Sequence, residues 1–261
     1  MIYRQLGKSP LNVSALCLGT MMFGDQTDLT EARSIVAHAR EHGVNFIDTA
    51  DVYSTGKSES MVGELLGANR ADWILATKIG NKMSEAPNQV QYSRTWMMRE
   101  CEASLTRLGT DYIDIYYLHR DFNGMDLEEP LRAIDALLRA GKIRYWGVSN
   151  FRGWRIAEMV HLARAINMPP PVVCQPYYNL LNRMPEVEVL PVCAHHGIGV
   201  VPYSPLTGLG QVPRPNRHWH APLIVFCVSR KKNVPIGSFK FNFSAAIPAR
   251  SPISAALNVR A

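Results

Sequence analysis

The chain has 261 residues, 47% hydrophobic and 19% charged, enough to bury a large core. It has no run of eighteen apolar residues, so no membrane-spanning helix is expected. The net charge of +6 is not spread over a basic face: all 22 acids lie at or before Glu188, while residues 189–261 hold eight basic residues and no acid. That distribution argues against a nucleic-acid-binding body, since folded surfaces usually mix both signs.

The start of the sequence, Met1-Ile2-Tyr3-Arg4-Gln5, has no apolar signal core. The five cysteines include no Cys-x-x-Cys pair, and Cys17, Cys101, Cys174 and Cys193 sit among apolar residues. They read as reduced core side chains, and a cytoplasmic location is expected.

Tyr3 to Leu6 and Asn12 to Ser14 flank a Gly7-Lys8-Ser9-Pro10 turn and predict a small capping hairpin. Ala15 to Gly19 predicts a first strand. Asp28, with Glu31 three residues later, marks a helix start. Ala32, Ile35, Val36 and Ala39 form its apolar face, and Gly43 ends it. Asn45-Phe46-Ile47-Asp48 predicts a second strand ending in a carboxylate, with Tyr53 five residues on. A helix is expected over Ser58 to Leu66. The third strand ends at Lys78, and Ser93 opens a helix to Leu108, stopped by Gly109. The fourth strand ends at His119, and Pro130 suits a helix's first turn. Ile143 to Val148 is a fifth strand, ending at Ser149-Asn150, and Trp154 to Ala165 is helical. Val172 to Cys174 is a sixth strand, ending at Gln175. Glu186 to His195 is a short helix, and Ile198 to Val201 a seventh strand, ending at Tyr203-Ser204.

Strands alternating with helices imply a parallel sheet. A doubly wound dinucleotide fold calls for Gly-x-Gly-x-x-Gly after its first strand, and Gly19-Thr20-Met21-Met22-Phe23-Gly24 does not fit. In a (β/α)8 barrel, function gathers at the carboxyl ends of several strands. The polar residues here stand at the ends of strands two to seven, so the α/β barrel of the TIM type is the expected fold.

The grouping suits carbonyl reduction. A tyrosine of pKa about 10 is a weak acid at pH 7, and a nearby cation favours its ionised form. Lys78 is such a cation, Asp48 a carboxylate placed to hold it, and His119 a hydrogen-bonding partner for a carbonyl oxygen. Hydride must come from a cofactor, because no side chain supplies it.

Seven segments in order resemble the aldo-keto reductase family: Leu16 to Met21, Asn45 to Ala50 with Tyr53, Ala76-Thr77-Lys78, Tyr117-Leu118-His119, Gly141 to Phe151, Gln175 to Asn179, and Val201 to Leu206. The resemblance implies a (β/α)8 barrel and an NADP(H)-dependent oxidoreductase acting on a small-molecule aldehyde or ketone. It implies Tyr53 as general acid, Lys78 as its tuning cation, Asp48 as the partner of Lys78, and His119 as the group orienting the carbonyl. It also implies cofactor binding by Gly19, Thr20, Ser149, Asn150, Gln175, Tyr203, Ser204 and Leu206. No metal is implied, and nothing indicates the oligomeric state.

The resemblance covers about residues 3–206 and stops there, which divides the chain into a barrel of seven strands (1–206) and a basic segment (207–261) without family motifs. The barrel is therefore expected to be incomplete after strand seven. Leu223 to Val228 reads as a strand able to fill the gap. Three other readings stand beside the reductase. One is an impaired reductase-like barrel that senses cofactor and binds another protein. Another is a metal-dependent hydrolase using Asp48, His119 and His195. The third gives the basic end a nucleic-acid role, with steeply salt-dependent binding. His195-His196 itself reads as a helix end suited to the helix dipole.

Overall fold

A computed structural model describes residues 1–205 and the backbone of a strand at 224–226. Two short antiparallel strands, β1 (Tyr3–Gln5) and β2 (Asn12–Ser14), form the expected hairpin. Then β3 (Leu16–Gly19), β4 (Phe46–Asp48), β5 (Ile74–Ile79), β6 (Ile113–Leu118), β7 (Ile143–Ser149), β8 (Val173–Gln175) and β9 (Gly199–Val200) pair in parallel, each with the next. Between them run α1 (Leu29–Glu41), α2 (Lys57–Leu66), α3 (Arg94–Leu108), α4 (Glu128–Arg139), α5 (Gly153–Ala165) and α6 (Val189–His196). The parallel sheet curls into a half-barrel, consistent with an incomplete (β/α)8 barrel.

Helix ends follow the expected chemistry. Asp28 accepts from the Glu31 amide at 2.9 Å at the start of α1, and Ser93 accepts from the Trp96 amide at 3.3 Å at the start of α3. Gly109 closes α3 in a left-handed conformation. The helix expected over 186–195 is instead split. A single turn covers Met184–Glu186, and α6 begins only at Val189. The reason lies in Glu188, whose side chain accepts from the Gly153 amide at 2.9 Å and so caps α5 rather than continuing its own helix.

Side chains alternate across each strand, and this alternation builds the interior. Phe46, Ala76, Ile115, Tyr117 and Val173 form one buried cluster with Leu6 and Val13 of the hairpin. The larger cluster packs the other face of the sheet against the helices and includes Ile47, Leu75, Tyr116, Trp146 and Cys174. Two residues beyond an inward apolar position, four of these strands lead to a polar one: Asp48 after Phe46, Lys78 after Ala76, His119 after Tyr117, Gln175 after Val173. Cys17, Cys101, Cys174 and Cys193 are buried, as expected of core side chains.

The hairpin seals the foot of the half-barrel. The Lys8 amide donates to the Gly197 carbonyl at 2.9 Å. Gly7 has φ 61°, and a Cβ there would meet the Gly199 nitrogen at 2.6 Å, so the approach requires glycine. The strand expected at 223–228 is present as β10 (Ile224–Phe226), which pairs with β3 in antiparallel register, Ile224 opposite Leu18 and Phe226 opposite Leu16. The boundary placed between residues 206 and 207 lies outside the described residues. Among these residues, no helix is long and apolar enough to cross a membrane.

Candidate active site

Lys78 is fully buried, as is nearly all of Asp48. Its ammonium donates to Asp48 Oδ1, to the Thr49 carbonyl at 2.8 Å and to the Tyr53 hydroxyl at 3.1 Å. All three ammonium donors are therefore used, and one of them points at Tyr53. Burial by itself lowers the Lys78 pKa, but Asp48 and Tyr53 outweigh it, and the net shift is upward. The side chain is thus held charged beside the tyrosine. The second Asp48 oxygen accepts from Gln175 Nε2 at 2.9 Å.

Tyr53 is not delivered by a strand. It starts a single turn, Tyr53–Gly56, in which Ser54 (φ 49°), Thr55 (φ 53°) and Gly56 (φ 86°) are all left-handed. For non-glycine residues that backbone costs about 1–2 kcal/mol each. Ser54 recovers part of it by donating to the Phe23 carbonyl at 3.0 Å. Asn150 (φ 58°) and Ser204 (φ 50°) are also left-handed, so four strained non-glycine positions surround the mouth.

Burial raises the Tyr53 pKa and outweighs the expected downward pull of Lys78, so the net shift is upward. Tyr53 is thereby held as a protonated hydroxyl. His119 lies edge-on to the Tyr53 ring, with centroids 5.9 Å apart. Burial, reinforced by Lys78 and Arg120, lowers its pKa to about 3. The imidazole is therefore neutral at ordinary pH, and its buried Nδ1 has no hydrogen-bond partner among the described residues.

The positions expected to hold a cofactor fall into two groups. Ser149, Asn150, Gln175 and Tyr203 come together. Ser149 Oγ donates to the Gln175 carbonyl at 2.8 Å, Asn150 Nδ2 donates to Ser149 Oγ at 3.0 Å, and the Tyr203 hydroxyl donates to Asn150 Oδ1 at 2.9 Å. Tyr203 lies 5.3 Å from Tyr177, ring to ring, so Tyr177 packs against another aromatic as a loop residue. The Ser204 carbonyl accepts from Asn179 at 3.1 Å. Gly19 and Thr20 lie beside Asp48: Gly19 is opposite it in the parallel register, and the Thr20 hydroxyl donates to the Asp48 carbonyl at 3.0 Å and meets Ser58 Oγ at 2.9 Å. Leu206 lies outside the described residues. His195 sits in the last turn of α6.

Two features were not read from the sequence. A cleft of about 490 Å³ opens beside Tyr53, lined by Met21, Met22, Asp25, Gln26 and Lys57 among others. The direct succession of Met21-Met22 on Gly19-Thr20 was its available signal. Behind β5, Glu59 and Glu100 share Arg107, at 2.6 Å from Arg107 Nε for Glu59. Asp51 is buried nearby, and its pKa is raised by burial and by these two carboxylates. No spacing rule joins residues 51, 59, 100 and 107, which meet only when α2 packs on α3.

The family model for the aldo/keto reductase family matches residues 15–217. A probable voltage-gated potassium channel subunit beta from Arabidopsis thaliana is 40% identical over 213 residues, covering 79% of this chain and 64% of that protein. The protein of the same name from Oryza sativa subsp. japonica is 37% identical over 213 residues, again with 79% and 64% covered. The uncharacterized oxidoreductase YrpG from Bacillus subtilis (strain 168) is 38% identical over 219 residues, covering 80% of this chain and 67% of that protein. The chain spans a little under two thirds of the length of the two plant relatives.

Proposed function

The chain belongs to the aldo/keto reductase family, and from that membership we propose that it reduces an aldehyde or ketone with NADPH, Tyr53 serving as general acid. The observation that carries this reading is the Lys78 ammonium, buried between Asp48 and the Tyr53 hydroxyl and 3.1 Å from the latter. When bound, the reduced nicotinamide supplies the hydride that adds to the carbonyl carbon. Tyr53 gives its hydroxyl proton to the carbonyl oxygen, and Lys78, held by Asp48, stabilises the tyrosinate left behind. Neutral His119 orients the oxygen through a ring nitrogen. The polar groups of Ser149, Asn150 and Gln175 and the face of Tyr203 fit a carboxamide-bearing planar ring.

The test is oxidation of NADPH by a generic aldehyde, comparing the chain with Tyr53→Phe. Equal rates would remove Tyr53 from the chemistry. A second reading, a cofactor-sensing barrel that binds another protein, is favoured by the plant relatives named as potassium channel beta subunits. Cofactor binding without turnover supports it.

A further inference from the structure

We propose that Arg107 is a positioning residue for the Tyr53–Lys78 pair, a role that rests on the reductase reading above. Arg107 lies at the end of α3 on the outer face of the sheet, out of reach of any substrate at the mouth. Its connections nevertheless run to both members of the pair.

The first connection is steric. Gly56 closes the left-handed turn that carries Tyr53, and a Cβ built on it would stand 2.8 Å from Arg107 Cδ and 3.1 Å from Nε. The arginine stem is thus the surface on which that turn is laid. The second connection is polar. Arg107 Nε donates to Glu59 Oε2 at 2.6 Å, and Glu59 Oε1 accepts from the Thr77 hydroxyl at 2.5 Å. Thr77 precedes Lys78 on β5 and points to the opposite face, so fixing its side chain fixes the strand where Lys78 leaves it. Nη2 donates to Glu100 and, at 3.1 Å, to Ser104 Oγ, which anchors the guanidinium to α3. Glu59 is fully buried and Glu100 nearly so.

Only a forked, planar cation makes these contacts together, and an ammonium at the same place gives a single point of charge. The turn has two consecutive left-handed non-glycine residues, so it stays in place only while its surroundings hold it. Arg107 supplies that hold from behind while Lys78 does so from the front.

The experiment compares the full chain with Arg107→Met, Arg107→Lys and Gly56→Ala. Turnover of NADPH with 4-nitrobenzaldehyde is measured beside NADPH binding and ¹³Cζ-tyrosine NMR, the Tyr53 resonance being identified by its loss in Tyr53→Phe. In Arg107→Met, kcat is expected to fall roughly 10- to 100-fold, as for a misplaced reacting group, while NADPH affinity stays within about threefold. The Tyr53 resonance is expected to move, Arg107→Lys to recover part of both effects, and Gly56→Ala to reproduce the shift by pushing the turn off the arginine stem while every charged group stays present. An unmoved Tyr53 resonance in folded Arg107→Met and Gly56→Ala overturns the proposal, as does a kcat that falls only with the folded fraction. If Arg107→Met does not fold, Arg107→Lys and Gly56→Ala decide by the same resonance. A wild-type chain that reduces no carbonyl defeats the reductase reading alone, and the resonance still decides whether Arg107 positions Tyr53.

Discussion

Gln175 Nε2 donates to Asp48 Oδ2 at 2.9 Å, joining residues 127 apart in sequence across the interior of the half-barrel. The other Asp48 oxygen is taken by Lys78. One carboxylate therefore ties the proton-handling group to the strand expected to meet the cofactor. Gln175→Leu leaves a buried carboxylate oxygen unpaired and is expected to cost about 1–3 kcal/mol. Urea unfolding measures it. A midpoint equal to that of wild type would show the bond to be dispensable.

Tyr53→Phe keeps the ring and its edge-on contact with His119 but removes the proton. Carbonyl reduction is expected to drop by about 10²–10⁴, the usual worth of a positioned acid. NADPH affinity should hold. Steady-state rates beside a fluorescence titration separate the two, and a parallel loss of binding would make Tyr53 a structural residue.

Lys78→Met removes one half of a buried ion pair. The stranded Asp48 is expected to lower stability by about 3–5 kcal/mol. Asp48→Leu in the same chain is expected to restore part of that loss, because the uncompensated charge is then gone. A double variant less stable than Lys78→Met by the full single-site cost of Asp48→Leu would contradict this.

His119 gives a pH dependence with a definite sign. Its folded pKa is depressed from 6.5 to about 3, so between these values the unfolded chain binds a proton that the folded chain does not. Stability from this group is present above pH 6.5 and lost as pH falls toward 3. The slope amounts to about 1.4 kcal/mol per pH unit inside that window. Denaturation of wild type and His119→Gln at several pH values checks it, and equal slopes would rule out a buried neutral imidazole.

Gly147 stands where β7 meets β8. A Cβ there would fall 2.5 Å from Val173 Cγ1 and 2.6 Å from the Val173 carbonyl. Gly147→Ala is expected to destabilise the chain by about 1–3 kcal/mol through overpacking. An unchanged thermal midpoint would mean that β7 and β8 part easily.

Much of the site was legible because period two in a strand is a strong local rule. Phe46 and Asp48, Ala76 and Lys78, Tyr117 and His119 each follow it. Helix starts at Asp28 and Ser93 were legible for an equally local reason, a side chain bonding its own next turn. The left-handed turn after Tyr53 was not, since Ser54 and Thr55 are not residues that advertise such a backbone. The Arg107 cluster was not, since it forms only between packed helices. Glu188 looked like part of its own helix and proved to serve another. The direction of β10 was not legible either, because an apolar run reads the same from both ends.

That direction has a consequence for what β10 contributes. Barrel chemistry comes from the carboxyl ends of strands. Because β10 runs against its neighbour, its carboxyl end, Phe226, lies beside Leu16 toward the hairpin, and its amino end, Ile224, lies beside Leu18 toward the mouth. It satisfies the open backbone edge of β3, which would otherwise invite pairing with another chain, yet it turns its back on the site. Among the described residues seven strands present carboxyl ends to the mouth, and the eighth is mortar rather than a working wall.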